Sequence, residues 1–323
     1  MKTTMTRALL AATALTVAAP AFAQEVTFAH GANPGNPRYA AAEMFADLVP
    51  ACTGGDVTVS VAPSATMGND VEMLTSVAGG VIEMSANSQG PLAQIVPEVG
   101  MLGLPFLFED LPTVWRVLDG EVGDMLDEKA QQAGLKILTF WDNGIRHVSH
   151  LNKNVPTPAD LEGMKIRTPS DETTIAAFEA LGAAPAPLAW SELPTSLQSG
   201  VFDGQENPLT NIYSARLHEI TPYITLTGHK YESTPVVASM VWWSGLDEDT
   251  QECIQSAAKD AGWYQRGLSL SQSKSLRETM ENEGATFAEV EDRQAFVDAT
   301  AGVIEEYEGQ YGEFIGALRE ATQ

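Results

Sequence analysis

The chain has 323 residues, 43 of them acidic and only 18 basic, for a formal net charge of −25. So acidic a composition excludes nucleic acid and anionic lipid as partners, since both demand basic contact surface. A chain of this length usually divides into two domains, and no internal repeat, low-complexity tract or flexible linker interrupts it.

The first stretch, MKTTMTRALLAATALTVAAPAFA, places Lys2 and Arg7 before an apolar run and ends on the small-x-small pattern Ala21-Phe22-Ala23. It is predicted to be a signal peptide over 1–23. The mature exported chain, expected in the periplasm, then begins at about Gln24 with a net charge of −27, because Lys2 and Arg7 are lost. The run is too short and too rich in alanine to span a bilayer, and no other stretch qualifies, so the mature chain is not expected to insert in a membrane. An oxidising compartment permits a disulfide between Cys52 and Cys253, the only two cysteines. Sequence supplies no distance, so a bridge and two separately buried thiols both stay open.

After the leader, VTFAH (26–30) reads as a strand followed by the loop GANPGNP. RYAAAEMFADLVPAC has a helical stripe at Ala41, Phe45, Leu48, Val49 and Cys52. DVTVSVAPS alternates Val57, Val59 and Val61 with polar residues, a strand that Pro63 stops. A helix carrying Val71, Leu74 and Val77 ends at Gly79-Gly80, and VIEMSANSQ (81–89) is a strand leading into a polar loop. This β-α-β-α-β rhythm predicts an α/β domain with a largely parallel sheet. It recurs in the strands GLKILTFWDNG and MKIRTP, then in a helix capped by Ser170, with Ile175, Phe178 and Leu181 inward and Gly182 as its stop. A short helix between Ser191 and Gly200 precedes the strand and turn VFDGQENP, and TPVVASMVWWS (234–244) reads as a strand buried on both faces. From 248 to about 282 the helical pattern is nearly unbroken, long enough to cross from one domain to another.

The chemistry of most enzyme classes is missing. There is no G-x-S-x-G elbow, H-E-x-x-H pair, phosphate loop or dinucleotide fingerprint after a strand. His147 and His150 of HVSH lie among strand formers with no acidic third ligand nearby, so no metal site and no cofactor are expected. The positive signal is Arg167, at the end of the strand in GMKIRTPSD, where open α/β sheets place their ligands. A guanidinium clamps a carboxylate with two parallel hydrogen bonds, a geometry lysine lacks. Asp171 and Glu172 already put negative charge at the start of the next helix, which leaves anion recognition to the arginine.

The block from GMKIRTP through ALGAAPAPLAWSELPTSLQSGVFDGQENPL, with EMFADLV, LPFLFED, NGIR and the Trp-Trp segment, resembles the substrate-binding proteins of tripartite ATP-independent periplasmic (TRAP) transporters, of the DctP type. The resemblance covers essentially the whole mature chain. It implies an α/β, two-domain periplasmic-binding-protein (Venus-flytrap) fold with an interdomain ligand cleft and a long domain-spanning helix. It also implies lobes of 24–142 plus 233–271 and 143–232 plus 272–323, and delivery of a small organic acid to a membrane permease. By position, Arg167 matches the family's carboxylate clamp, Asn207 of QENP the asparagine that orients the acid group, and Arg146 of NGIR a second arginine. Trp190 matches an aromatic residue that packs on the ligand, and Asn87 and Ser88 a polar contact loop. His30 and Asn33 of FAHGAN and His229 of TGHKY are further candidates. SANSQ lacks the acidic residue of some acid-sugar binders, which disfavours an amino-sugar acid. The rival reading is an exported lyase or isomerase acting on a hydroxy acid, which requires the Glu72 and Glu206 carboxyls to converge in a cleft as an acid–base pair.

Overall fold

The computed structural model describes residues 23–322, so the expected signal segment lies outside it apart from Ala23. Nine strands form one sheet: β1 (Gln24–His30), β2 (Val57–Ala62), β3 (Met84–Ala86), β4 (Leu135–His150), β5 (Lys165–Thr168), β6 (Ala184–Pro187), β7 (Gly204–Asn207), β8 (Tyr223–Ser239) and β9 (Thr286–Glu289). Their order is β2-β1-β3-β8-β4-β7-β5-β6, with β9 joined to β8. The expected parallel pairing holds at both flanks, β2-β1-β3 and β7-β5-β6. The centre departs from it, because β4 and β8 are antiparallel to each other and to β7 and β3 respectively.

β4 and β8 are the spine of the molecule. At 16 and 17 residues they reach about 50 Å, far enough to serve both lobes. Their register shifts between Asp142 and Gly144, and again between Arg146 and Val148. Such bulges bend a strand pair, and here they flank Arg146.

Helices cover the sheet on either side. Helix α1 (Pro37–Cys52) buries Ala41, Phe45 and Val49. They pack with Phe28, Trp141 and Ile254 in one first-lobe core. Helix α2 (Asp70–Ala78) starts with a capping box between Asn69 and Glu72 and adds Met73, Leu74 and Val77 to the other. The predicted long helix is present as Glu248–Asn282. Its first half packs on the first lobe through Ile254, Ala258 and Ala261, and its second half on the other lobe through Leu276 and Met280. The C-terminal helix, Arg293–Thr322, crosses back: Phe296 packs with Ile166 and Phe178, whereas Phe314, Ile315 and Leu318 join Val122 and Leu126 of the first lobe. Between them the backbone leaves helical geometry at Tyr311 (φ −122°, ψ 27°).

Three local expectations are corrected. The apolar run 234–244 stops being strand at Ser239, whose hydroxyl accepts from the Val241 amide (3.2 Å) and starts a short helix, Met240–Trp243. An apolar run carries no period with which to mark that change. The helix after β5 is capped by Asp171 instead of Ser170, with the Asp171 carboxylate accepting from the Thr173 amide (3.2 Å). The cysteine question resolves as a bridge: Cys52 at the end of α1 is bonded to Cys253 on the long helix, Cα atoms 5.9 Å apart.

Gly204 is required by close approach. A Cβ there would land on the Ser149 carbonyl oxygen and the Met164 side chain, because β7 is pinned between β4 and β5 at this rung. Gly204→Ala is expected to destabilise the protein by about 1–3 kcal/mol, in the range of overpacked cores, read as a lower urea midpoint at unchanged slope.

Candidate ligand-binding site

The sheet brings four charged residues from four neighbouring strands into one row of alternating sign: Glu232 on β8, Arg146 on β4, Glu206 on β7 and Arg167 on β5. Register does this, since Gly144 faces Glu232, Val148 faces Glu206 and Gln205 faces Arg167. All four are buried. Arg146 lies between the two carboxylates, with its Nε donating to Glu206 and its Nη1 to Glu232. Its Nη2 donates to the Glu206 backbone oxygen (2.6 Å) and to Oε1 (2.7 Å). Burial pushes the Glu206 carboxyl up, but Arg146 and a hydrogen bond from His229 override it and bring the group down to about 2. The same burial lowers the His229 ring's basicity. Neutral His229 then donates from Nε2 to Glu206 (3.1 Å) while its Nδ1 accepts from the Thr227 hydroxyl (2.8 Å).

Arg167 is placed differently. Its Nε and Nη2 both donate to the Leu188 carbonyl, at 2.9 and 2.6 Å. No carboxylate among the described residues forms an ion pair with it, so its charge is met only at a distance. Burial, reinforced by Arg146, lowers it to about 10, which leaves it a cation at neutral pH. Held at its Leu188 edge, the guanidinium borders a cavity of about 230 Å³ between the lobes. That volume lies below the ~300–1,000 Å³ of pockets for drug-sized molecules and suits a small solute.

The cavity draws on both lobes. Of the residues predicted from sequence, Arg167, Arg146, Asn207, Trp190, Ser88 and Asn33 line it. Arg146 borders it with most of its donors engaged by glutamates. Asn207 borders it with Nδ2 on Gln205 (2.5 Å) and Oδ1 accepting from Asn211 (3.1 Å), keeping one N–H for another partner. Three candidates stand behind the wall and do not line it. His30 accepts from the Ala32 amide through Nδ1 (3.1 Å) and shapes the loop after β1; burial, with Arg38 nearby, lowers it to about 3. Asn87 holds α2 through the Asp70 backbone oxygen (3.0 Å). His229 supports Glu206 as described.

Several lining residues escaped the sequence reading. Asn36, the N-cap of α1, reaches across the gap to Asn211 Oδ1 (2.8 Å) and Ser214 Oγ (3.3 Å). Asn211 in turn donates to Asn143 (2.9 Å). Asn211 lies on the short helix Leu209–Ser214 that follows β7 directly, a polar residue that no period in the sequence marks as facing the cavity. Arg38 was visible as a basic residue in the first turn of α1, where the helix dipole disfavours it. Asp70 gave no such signal, since an acid at the first position of α2 fits the dipole. Asp70 is half-buried, with its open face on the cavity; burial raises its carboxyl, Arg38 counters this and Glu232 adds to it.

A small cavity walled by two lobes, bordered by a buried cation with no ion-pair partner among the described residues, fits the capture of an anionic solute. The chain belongs to the DctP family of bacterial extracellular solute-binding proteins, family 7, whose profile matches residues 28–310. It is 45% identical over 308 residues to an uncharacterized protein, y4mM, of Sinorhizobium fredii, covering 93% of this chain but only 57% of that protein's length. It is 35% identical over 282 residues to the 2,3-diketo-L-gulonate-binding periplasmic protein YiaO of Escherichia coli, covering 87% of this chain and 86% of that one. The fold matches the sugar-acid-binding protein DctPAm of Advenella mimigardefordensis, solved with galactonate, at a TM-score of 0.90 and 29% identity, over 93% of this chain and 98% of that one.

Proposed function

We propose that the protein is the periplasmic receptor of a TRAP transporter, capturing a small organic acid between its lobes and delivering it to the membrane permease. The observation that carries this is Arg167, a buried cation with no carboxylate partner of its own, at the wall of the interlobe cavity. The ligand's carboxylate supplies the missing counter-charge, with Asn207 orienting it and Trp190 packing on its carbon frame. The lobes are 24–142 with 233–271 and 143–232 with 272–323, the last turns of the second segment lying across onto the first. A ligand touching both walls favours the closed arrangement by its extra contacts there. Among the relatives, YiaO binds 2,3-diketo-L-gulonate, DctPAm was solved with galactonate and a protein of Rhodobacter capsulatus binds C4-dicarboxylates, all in keeping with an organic acid.

Binding is followed by release, without chemistry. An acid–base pair of Glu72 and Glu206 has no support, because Glu72 closes the helix cap, accepting from the Asn69 amide (2.8 Å), and Glu206 is saturated by Arg146 and His229. The test is a thermal-shift screen over organic acids. A ligand selective for the folded state raises the melting point, by an increment equivalent to about 2.7 kcal/mol at a concentration one hundred times its Kd. Carboxylic acids are expected among the hits, and recovered unchanged after prolonged incubation. Hits confined to neutral or cationic solutes, or turnover of a hit, would sink the reading.

A further inference from the structure

A second cavity, of about 250 Å³, is as large as the one before Arg167 and shares no lining residue with it. Along β4, Arg146 lines the first cavity while its neighbours Ile145 and His147 line the second, as successive side chains on a strand turn to opposite faces. The long helix supplies another wall through Ser269, Leu270, Ser273, Lys274 and Arg277. Leu111 at the start of the helix Leu111–Leu118, Leu209 at the start of Leu209–Ser214 and Leu226 of β8 add aliphatic surface.

The polar groups of this lining are all donors. Ser269 is buried, yet its hydroxyl has no hydrogen-bond partner among the described residues, and neither has that of Ser273. Burial, helped by His229 and Arg146, lowers His147 to about 3, so its ring is neutral at pH 7. Its Nδ1 accepts from the Gly228 amide (3.1 Å), which leaves the proton on Nε2, a nitrogen without a partner among the described residues. The lining holds no carboxylate, in a chain with 43 acidic residues to 18 basic. Arg277 is matched from outside the lining, by Glu281 (3.1 Å) and Glu289 (2.7 Å). Lys274 is exposed and forms no ion pair among the described residues. Four groups thus keep donors without an acceptor, beside a wall of leucines. Apolar walls with a few convergent polar groups are the make-up of a small-molecule site. One uncommitted cation among them calls for a single negative charge.

We propose that this cavity is a second binding site, for a small amphiphilic monocarboxylate whose acid group accepts from Lys274, His147 and the two serines while its hydrocarbon body covers the leucines. It does not rest on Arg167 as a clamp, and the failure of either reading leaves the other standing. Hexanoate, benzoate and the uncharged hexanol are titrated calorimetrically into the wild type, Lys274→Glu, Ser269→Leu and Arg167→Ala, with folding checked by circular dichroism. At least one of the two acids is expected to bind the wild type, about tenfold or more tighter than hexanol, and to bind Arg167→Ala within about threefold of the wild type. Lys274→Glu, which reverses an exposed charge, is expected to weaken that acid by about tenfold. Ser269→Leu, which fills part of the cavity and removes a donor, is expected to weaken it at least as much, and it carries the test should Lys274→Glu fail to fold. No binding of either acid at about 10 mM, or hexanol binding as tightly as both, overturns the proposal. Retention within about threefold in Lys274→Glu or Ser269→Leu, or loss in Arg167→Ala, places the acids elsewhere and overturns it too.

Discussion

Arg167→Ala is expected to abolish measurable binding of the acid that the thermal screen identifies, while the fold survives. Leaving a buried charge without its counter-charge costs about 3–5 kcal/mol, equivalent to roughly 10²–10³-fold or more in affinity. The effect concentrates here because the other second-lobe cation lining the cavity, Arg146, is already occupied by two glutamates. Arg167→Lys is expected to weaken binding as well. A point ammonium cannot grip the Leu188 carbonyl with two donors and still present an oriented edge to a ligand. Calorimetry on wild type and variants decides the matter: less than about a threefold loss in Arg167→Ala would refute the clamp.

Arg146→Met acts on stability. Methionine roughly keeps the volume but leaves Glu206 and Glu232 buried without the cation between them, a loss of about 3–5 kcal/mol. The pH dependence supplies a sharper signature. In the wild type Glu206 lies at about 2, below its ordinary 4.5, so its stabilising contribution is present above about 4.5 and is lost as pH falls toward 2. In the variant burial raises Glu206 against only the His229 bond and the more distant Arg167 charge, and the penalty is relieved as the group takes up its proton on acidification. Urea midpoints between pH 7 and pH 4 are therefore expected to converge. Parallel curves would show that Arg146 does not hold Glu206 ionised.

Where burial follows apolar periodicity, sequence was a sound guide. The helix over 248–282 and α1 announce themselves by their stripes, and Arg167 by its position before Thr-Pro at a strand end. β8 shows where this stops. Its 223–233 half buries His229, Lys230, Glu232 and Ser233, residues that pattern reading assigns to solvent. They go inside because each finds a partner there: Lys230 on Asp171 (2.5 Å), Glu232 on Arg146, Ser233 on Gln89 (2.9 Å). The ion pair of Arg146 with Glu206 spans 60 positions in the chain and exists only through the antiparallel register of β4 and β7, a tertiary fact with no local signal. One residue of the first-lobe wall was obscure for the same reason: Asp70 looks like an ordinary helix start until the fold sets it beside Gly31.

The Cys52–Cys253 bond joins residues 201 apart in sequence, and this bears on biogenesis. The earlier cysteine is synthesised long before its mate, so the bridge can close only in a chain made as far as the long helix. A product truncated ahead of the long helix keeps a lone sulfur, open to wrong partners and to oxidants. Closure of this bond thus marks chains made at least through the start of the long helix and sets them apart from shorter fragments.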